Sequence, residues 1–145
     1  ELTVEQQSSL LEFLQRLAPP VRSAAEDPGE VARGESLFDA AGCSDCHTPA
    51  LDAASGPVRL YSDLLLHAVA SDAGGIAEGA AERAEYRTPP LWGVRFTSPF
   101  LHDGKAETLD EAILQHAGEA AGSRSRYAAL SVADRRALVA FLNTL

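Results

Sequence analysis

Apolar and polar residues follow a helical spacing at the start of the chain. Four large apolar side chains fall on one helical face between residues 2 and 17: Leu10, Phe13, Leu14 and Leu17. Thr3 and Gln6 have the spacing of a capping box, and prolines at positions 19 and 20 interrupt the pattern. The pattern therefore predicts an amphipathic helix over residues 2–17.

Helical patterns also recur along the rest of the chain. The spacing of apolar residues predicts four further helices: 30–41, 62–70, 109–117 and a last helix from 131. Thr108 with Glu111 and Ser131 with Asp134 supply the capping residues of the last two. Because alternating strand-like runs are too short to build a sheet, we expect an all-α fold with long loops.

The two ends of the chain resemble each other in sequence. Aligning residues 2–17 with residues 130–145 gives identical, apolar residues at six of sixteen positions. Amphipathic helices share part of such a pattern by default, but the match also indicates a duplicated domain end. We therefore expect residues 1–20 to be a helix that ends a preceding domain, and residues 21–145 to be the domain proper. The chain, which contains no Met, would then be a piece of a longer protein.

Length and charge limit the function classes. The 145 residues correspond to one domain, and the longest apolar run has six residues, whereas a membrane-spanning helix needs about 20. Twelve basic residues against 21 acidic ones give a formal charge of -9, which phosphate backbones repel. The sequence thus excludes a membrane span and makes nucleic acid a poor partner.

Two cysteines and a histidine carry the chemistry. Cys43, Cys46 and His47 form the C-x-x-C-H pattern of covalent c-type haem attachment, in which two thiols join the haem and the histidine binds its iron. A thioredoxin-like dithiol would need a strand before the motif, and the preceding segment here is helical. A structural zinc site would need four well-placed ligands, which the remaining histidines do not supply.

The sequence leaves the second axial iron ligand open. Since Met is absent, the candidates are His67, His102, His116, a tyrosine or an unfilled position. His67 follows leucines and has the pattern of a hydrogen-bonded core residue, and His102 falls in a turn. His116 continues the apolar face of the predicted helix 109–117, where an unpaired imidazole would be costly.

A longer string resembles a known family. Residues 86–104, which read YRTPPLWGVRFTSPFLHDG, and the following TLDEA at 108–112 resemble the C-terminal haem domain of the bacterial di-haem cytochrome c peroxidase superfamily. The segment 61–67 and the RTPPLWG run at 87–93 are most similar to the di-haem oxidoreductase, thiol oxidoreductase-like, branch. This resemblance implies an all-α, cytochrome c-like domain wrapped around one covalently attached haem.

The resemblance also implies roles for individual residues. In this family the second domain's distal ligand follows the HDG histidine by fourteen residues, which here is His116. The expected centre is a low-spin iron held by His47 and His116, with His102 and Trp92 near the haem without binding the iron. Arg87 and Arg95 are then candidate partners of the haem propionates.

The resemblance implies electron transfer, because the C-terminal haem of the family passes electrons and this chain has one haem motif. The alternative is a peroxidase-like haem domain with an open or displaceable sixth ligand. Covalent haem attachment implies a periplasmic or secreted bacterial protein. We expect its partners to be redox proteins, or neighbouring redox domains of the same protein, with a basic docking surface.

Overall fold

The computed structural model describes residues 2–24, 26–54, 56–70 and 74–145. Within these ranges the chain forms five α-helices and one small antiparallel sheet. The helices are α1 (Val4–Gln15), α2 (Pro28–Ala40), α3 (Leu109–Leu114), α4 (Ala121–Ala128) and α5 (Val132–Thr144). The sheet pairs β1 (Leu66–Ala68) with β2 (Glu85–Arg87). The predicted helical fold with long loops is confirmed.

Side-chain caps set the starts of the helices. The Thr3, Thr108 and Ser131 side chains accept hydrogen bonds from the backbone N–H three residues ahead, as the sequence predicts. α2 begins at Pro28, two residues before the predicted start, because Asp27 accepts a hydrogen bond from the Glu30 N–H at 2.9 Å. Proline is well suited to the first turn of a helix, since its missing N–H needs no partner there.

The core lies where α2 crosses α5. The Phe38 and Phe141 rings lie 5.4 Å apart, and Tyr61 adds a third ring 5.8 Å from Phe141. Gly34 stands at the crossing, where an added Cβ would collide with the Ala137 carbonyl and lie 2.8 Å from Phe141 Cβ. The close approach of the two helices therefore depends on a glycine at position 34.

The prediction of a helix over residues 62–70 is wrong. Ser62 does not cap a helix: its Oγ accepts the Leu64 N–H at 2.9 Å and donates to the Thr88 carbonyl at 2.7 Å. Leu64 has a positive φ of 61°, and the chain then runs into β1. Pairing with distant residues 85–87 therefore overrides the local apolar pattern.

The segment after Thr108 also differs from the prediction. α3 ends at Leu114 and not at residue 117, because the Ala117 N–H donates to Val69 of the segment after β1 and not to α3. The φ of Gly118 is 51°, and an added Cβ there would collide with the Ala68 carbonyl. α4 was not predicted, because it consists of charged and small residues and has no apolar stripe.

α1 stands apart from the core. No described side chain of α1 is buried, although its capping box forms as predicted. The linker after α1 does contact the domain: the Arg95 guanidinium donates to the Val21 carbonyl, and the Ser23 N–H donates to the Thr144 carbonyl. In the described part of the chain, no helix is long and apolar enough to cross a membrane.

Candidate functional site

The C-x-x-C-H motif begins directly after α2. Gly42 adopts a φ of 73° and turns the chain into a short 3-10 helix over Cys43–Asp45. The His47 N–H donates to the Cys43 carbonyl at 2.9 Å, and Arg126 from α4 donates to the Ala41 carbonyl at 2.8 Å. The motif is thus fixed between the end of α2 and the side of α4.

Both cysteines are free and half-buried. Burial raises the pKa of the Cys43 thiol to about 11, against the opposing effect of Arg126, and burial also raises the pKa of Cys46. Catalytic dithiols have a lowered thiol pKa, because the thiolate is the reactive form. The surroundings of this pair therefore do not favour a thioredoxin-like function.

The His47 imidazole is held by the backbone. Its Nδ1 lies 3.0 Å from the Tyr61 carbonyl, which can only accept, so Nδ1 carries the proton. Burial lowers the pKa of His47 to about 4, and the nearby His116 adds to this effect. The ring is therefore neutral at pH 7, and the Nε2 lone pair is available to a metal. The positive φ of Tyr61, 55°, is the kind of strained backbone found at functional sites.

His116 is held in the same way as His47. Its Nδ1 lies 2.8 Å from the Ala112 carbonyl, so Nδ1 again donates. His116 follows α3, and its N–H donates to the Ile113 carbonyl at 3.2 Å. Among the described residues, no side chain or backbone group bonds to Nε2 of His47 or of His116. Each ring can thus present Nε2 to a metal.

His67 has a different environment. Its Nε2 lies 2.8 Å from an Asp63 carboxylate oxygen and its Nδ1 lies 3.1 Å from a Glu119 oxygen. The hydrogen bond to Asp63 is the main cause of a raised pKa of His67, and the bond to Glu119 adds to it. In turn, the hydrogen bond to His67 contributes to lowering the pKa of Asp63. Both nitrogens face carboxylates, so His67 bridges Asp63 and Glu119 when it is protonated.

Cys46, Asp63 and His67 also form a possible metal-ligand group, since one atom from each lies within 4.8 Å of the others. A structural zinc site requires four ligands, and this described group offers three. The group also depends on a free Cys46 thiol. A covalent bond from the Cys46 sulfur to haem would remove the thiolate, which is the form of cysteine that binds a metal.

His102 and Trp92 lie in the loops before α3. The His102 ring is exposed and stacks on Tyr86, with ring centroids 4.1 Å apart. Its Nε2 faces an Asp103 oxygen at 3.9 Å. Trp92 is half-buried next to Gly93, whose φ is 72°. Their predicted positions near the haem stay predictions.

The two predicted propionate partners differ in their contacts. Arg87 ends β2 and is exposed. Arg95 donates to three carbonyls at the end of α5, those of Asn143, Thr144 and Leu145. A cation at a helix C-terminus compensates the partial negative charge of the last carbonyls. Arg95 therefore fixes the end of α5, and the predicted propionate contacts of both arginines stay predictions.

The residues of this site fit a c-type haem. Two thiols precede one neutral imidazole, and a second imidazole offers its own Nε2. Several apolar side chains pack against the same core as Cys43 but are only partly buried: Leu91, Phe100, Leu109, Ile113 and Leu114. A cleft of about 290 Å³ beside Phe38 and Tyr61 is lined by neither imidazole. The fit to a haem therefore rests on the two thiols and the two imidazoles, and not on the shape of that cleft.

The sequence contains the ligand candidates in recognisable patterns, but the groups that orient them follow no sequence motif. The Tyr61 and Ala112 carbonyls are backbone atoms, which a sequence motif does not reveal. Glu119 is distant from His67 in sequence, so its contact could not be found either. The spacing of Asp63 and His67, four residues apart, was the one available signal.

Comparison with known proteins finds a matching family and several relatives. The family described as "Di-haem oxidoreductase, putative peroxidase" matches residues 2–145. The chain is 30% identical over 144 residues to the cytochrome-c peroxidase IdrP2 of Pseudomonas sp. strain SCT, covering 80% of this chain and 39% of that protein. It is 33% identical over 131 residues to the methylamine utilization protein MauG of Methylorubrum extorquens, covering 80% and 34%.

A solved structure shares the fold. The hydrazine synthase of Kuenenia stuttgartiensis aligns with a TM-score of 0.69 at 20% identity, covering all of this chain and 56% of that chain. The curated relatives are longer, since the chain spans 39% of IdrP2 and 34% of MauG. The family match extends over nearly the whole sequence and confirms the resemblance seen in the string 86–112. The chain belongs to the di-haem oxidoreductase family.

Proposed function

We propose that the chain is an electron-transfer domain that carries one covalently attached haem c, with His47 and His116 as the axial ligands. The observation that supports this most is the matched pair of imidazoles. Each donates through Nδ1 to a backbone carbonyl, at 3.0 Å for His47 and 2.8 Å for His116. In a metal-ligating histidine, a hydrogen bond from the nitrogen that does not bind the metal fixes the tautomer and the ring orientation.

The chain's own residues then have distinct tasks. Cys43 and Cys46 anchor the haem through thioether bonds, and the haem supplies one-electron chemistry when bound. Tyr61 and Ala112 hold the two rings through their carbonyls. Because backbone atoms hold both rings, little rearrangement is needed when the charge of the site changes by one electron. This rigidity favours electron transfer.

A peroxidase-like function is the second candidate. The Pseudomonas relative IdrP2 is named a cytochrome-c peroxidase. His116 lies beyond the end of α3, so its side chain could turn away from a bound haem without unfolding that helix. A peroxidase reaction would require that displacement, since peroxide binds to an open iron position.

We also propose an extracytoplasmic location, because c-type haem is attached outside the bacterial cytoplasm. Its partners would be redox proteins or neighbouring redox domains. The formal charge of -9 favours partners with a basic docking surface, since complementary charge speeds encounter.

Mass spectrometry and a visible spectrum test the proposal. After production with haem-attachment machinery, the denatured chain should have the mass of polypeptide plus one haem. The oxidised and reduced spectra should show low-spin bands that peroxide does not change. An unmodified mass would refute covalent haem, and a high-spin band with a peroxide response would favour the peroxidase-like function. A His102→Gln variant is the control, because it removes an exposed imidazole and should leave the low-spin bands unchanged.

A further inference from the structure

The chain around His116 is held from two sides. On one side, its Nδ1 and its N–H bond to carbonyls of α3. On the other side, the chain after His116 leaves the path of α3 and lies against β1, where the Ala117 N–H donates to the Val69 carbonyl at 2.8 Å. The two segments come so close that an added Cβ on Gly118 would collide with the Ala68 carbonyl. The position of His116 therefore depends on β1 as well as on α3.

The Glu119 side chain connects these two segments. One carboxylate oxygen accepts the Ala68 N–H at 2.8 Å, and the other lies 3.1 Å from His67 Nδ1. The hydrogen bond from Ala68 is the main cause of a lowered pKa of Glu119, so the group is an anion at neutral pH. An anionic acceptor forms stronger hydrogen bonds than a neutral one. Glu119 thus fixes the chain to β1 at a point three residues after His116.

The same network reaches the C-x-x-C-H motif. An Asp63 oxygen lies 2.8 Å from the other ring nitrogen of His67, and the Asp63 N–H donates to the Cys46 carbonyl at 2.9 Å. The second Asp63 oxygen accepts the Leu65 N–H at 2.9 Å, which fixes the carboxylate. Hydrogen bonds therefore connect Glu119 with the motif that would anchor the haem.

We propose that Glu119 is a positioning residue, which keeps His116 on the iron by binding the chain after it to β1. This inference rests on the proposed function, because it requires His116 as an axial ligand. The Glu119 side chain is 56% exposed, so its contribution is moderate, as for other exposed ion pairs. Loss of the carboxylate should make it easier for His116 to leave the iron, although the ligand itself is still present.

Carbon monoxide binding measures how often His116 leaves the iron, because carbon monoxide binds ferrous haem only at an open axial position. In the reduced haem protein, Glu119→Ala should raise the rate of carbon monoxide binding by about threefold to tenfold. Glu119→Gln should have a smaller effect, since the amide keeps an oxygen that can accept the Ala68 N–H. Glu78→Ala is the matched control and should leave the rate unchanged. It removes an exposed carboxylate, and the hydrogen bonds of Glu78 with Ala81 are made by the backbone.

A double variant shows whether Glu119 acts through His116. His116→Ala alone should bind carbon monoxide fast, and the addition of Glu119→Ala should then leave the rate unchanged, because no ligand is left to hold. Hydrogen exchange of the Ala117 amide should also be faster in Glu119→Ala, since its bond to Val69 opens more often. This second readout does not depend on the haem.

The outcomes separate this inference from the proposed function. Fast binding in His116→Ala with a wild-type rate in Glu119→Ala would overturn the role of Glu119 alone. An equal acceleration by Glu119→Ala with and without His116, or unchanged exchange at Ala117, would overturn it as well. Slow binding in His116→Ala would refute His116 as the axial ligand, and the role of Glu119 with it. Glu119→Gln provides the same comparisons where the alanine variant does not fold.

Discussion

Two backbone carbonyls determine what the imidazoles of His47 and His116 can bind. Both rings donate through Nδ1, whereas His67 has carboxylates at both nitrogens. The C-x-x-C-H motif predicted the role of His47, because that chemistry depends on neighbours in sequence. The choice among the other histidines could not be derived from spacing alone, since their partners come from other parts of the chain.

Substitution of His116 should change the iron environment. His116→Met should keep six-coordinate iron and raise the reduction potential by on the order of 100 mV, because a thioether favours ferrous iron. His116→Ala should open the sixth position, convert the iron toward high spin and increase peroxidase activity. Redox titration and electron paramagnetic resonance would measure these changes. A His116→Ala variant that keeps the low-spin spectrum, while His67→Ala loses it, would assign the ligand to His67.

His67→Gln should lower stability only in mildly acidic to neutral solution. The folded-state pKa of His67 is raised by Asp63 and Glu119, so its stabilisation is complete below the unfolded value of 6.5 and disappears as pH rises through the raised pKa. The lowered pKa of Asp63 keeps that carboxylate charged over the same range.

Urea titrations of the variant and the wild type at about pH 5.5 and about pH 9 would measure the difference in unfolding free energy. The unfolding free energy of the variant should be lower than that of the wild type at about pH 5.5, and the two should be equal at about pH 9. Asp63→Asn is the matched variant, and the double variant should lose little more than either single one. A deficit that grows with pH would contradict the ion-pair role.

At the scale of elements, local signals defined helix starts better than helix ends. Side-chain caps at Thr3, Thr108 and Ser131 depend on residues three apart, so the sequence contained the needed information. The end of α3 depends on Val69, which is distant in sequence. The predicted helix 62–70 failed for the same reason, because β2 pairs with this segment across a loop.

The crossing of α2 and α5 should not tolerate a side chain at Gly34. Gly34→Ala places a methyl group against the Ala137 carbonyl, so the helices must separate. We expect a loss of about 2–3 kcal/mol in unfolding free energy, the usual cost of overpacking. Gly29→Ala in the same helix is the control, since its Cβ would meet only the Asp27 carboxylate at 3.2 Å. Equal thermal stability of the two variants would disprove the close crossing.

Deletion of residues 2–17 should leave the haem domain intact. The described side chains of α1 are exposed, whereas the linker residues Arg22 and Ser23 contact Thr144 and would be retained. The visible spectrum should be unchanged, and the unfolding free energy should change by less than about 1 kcal/mol. Loss of the low-spin bands on deletion would show that α1 belongs to the same core as the haem.

At the scale of the whole molecule, charge should control the rate of electron exchange. The formal charge of -9 attracts cations at low ionic strength, where the Debye length is about 30 Å at 0.01 M, and less so at 0.15 M, where it is about 8 Å. Oxidation of the reduced haem protein by a cationic reagent, hexaammineruthenium, should therefore slow several-fold as salt rises over this range. Oxidation by the anion ferricyanide should accelerate instead. Stopped-flow measurement of both rates separates the effect of charge from any effect of salt on the fold, because an effect on the fold would move both rates in the same direction.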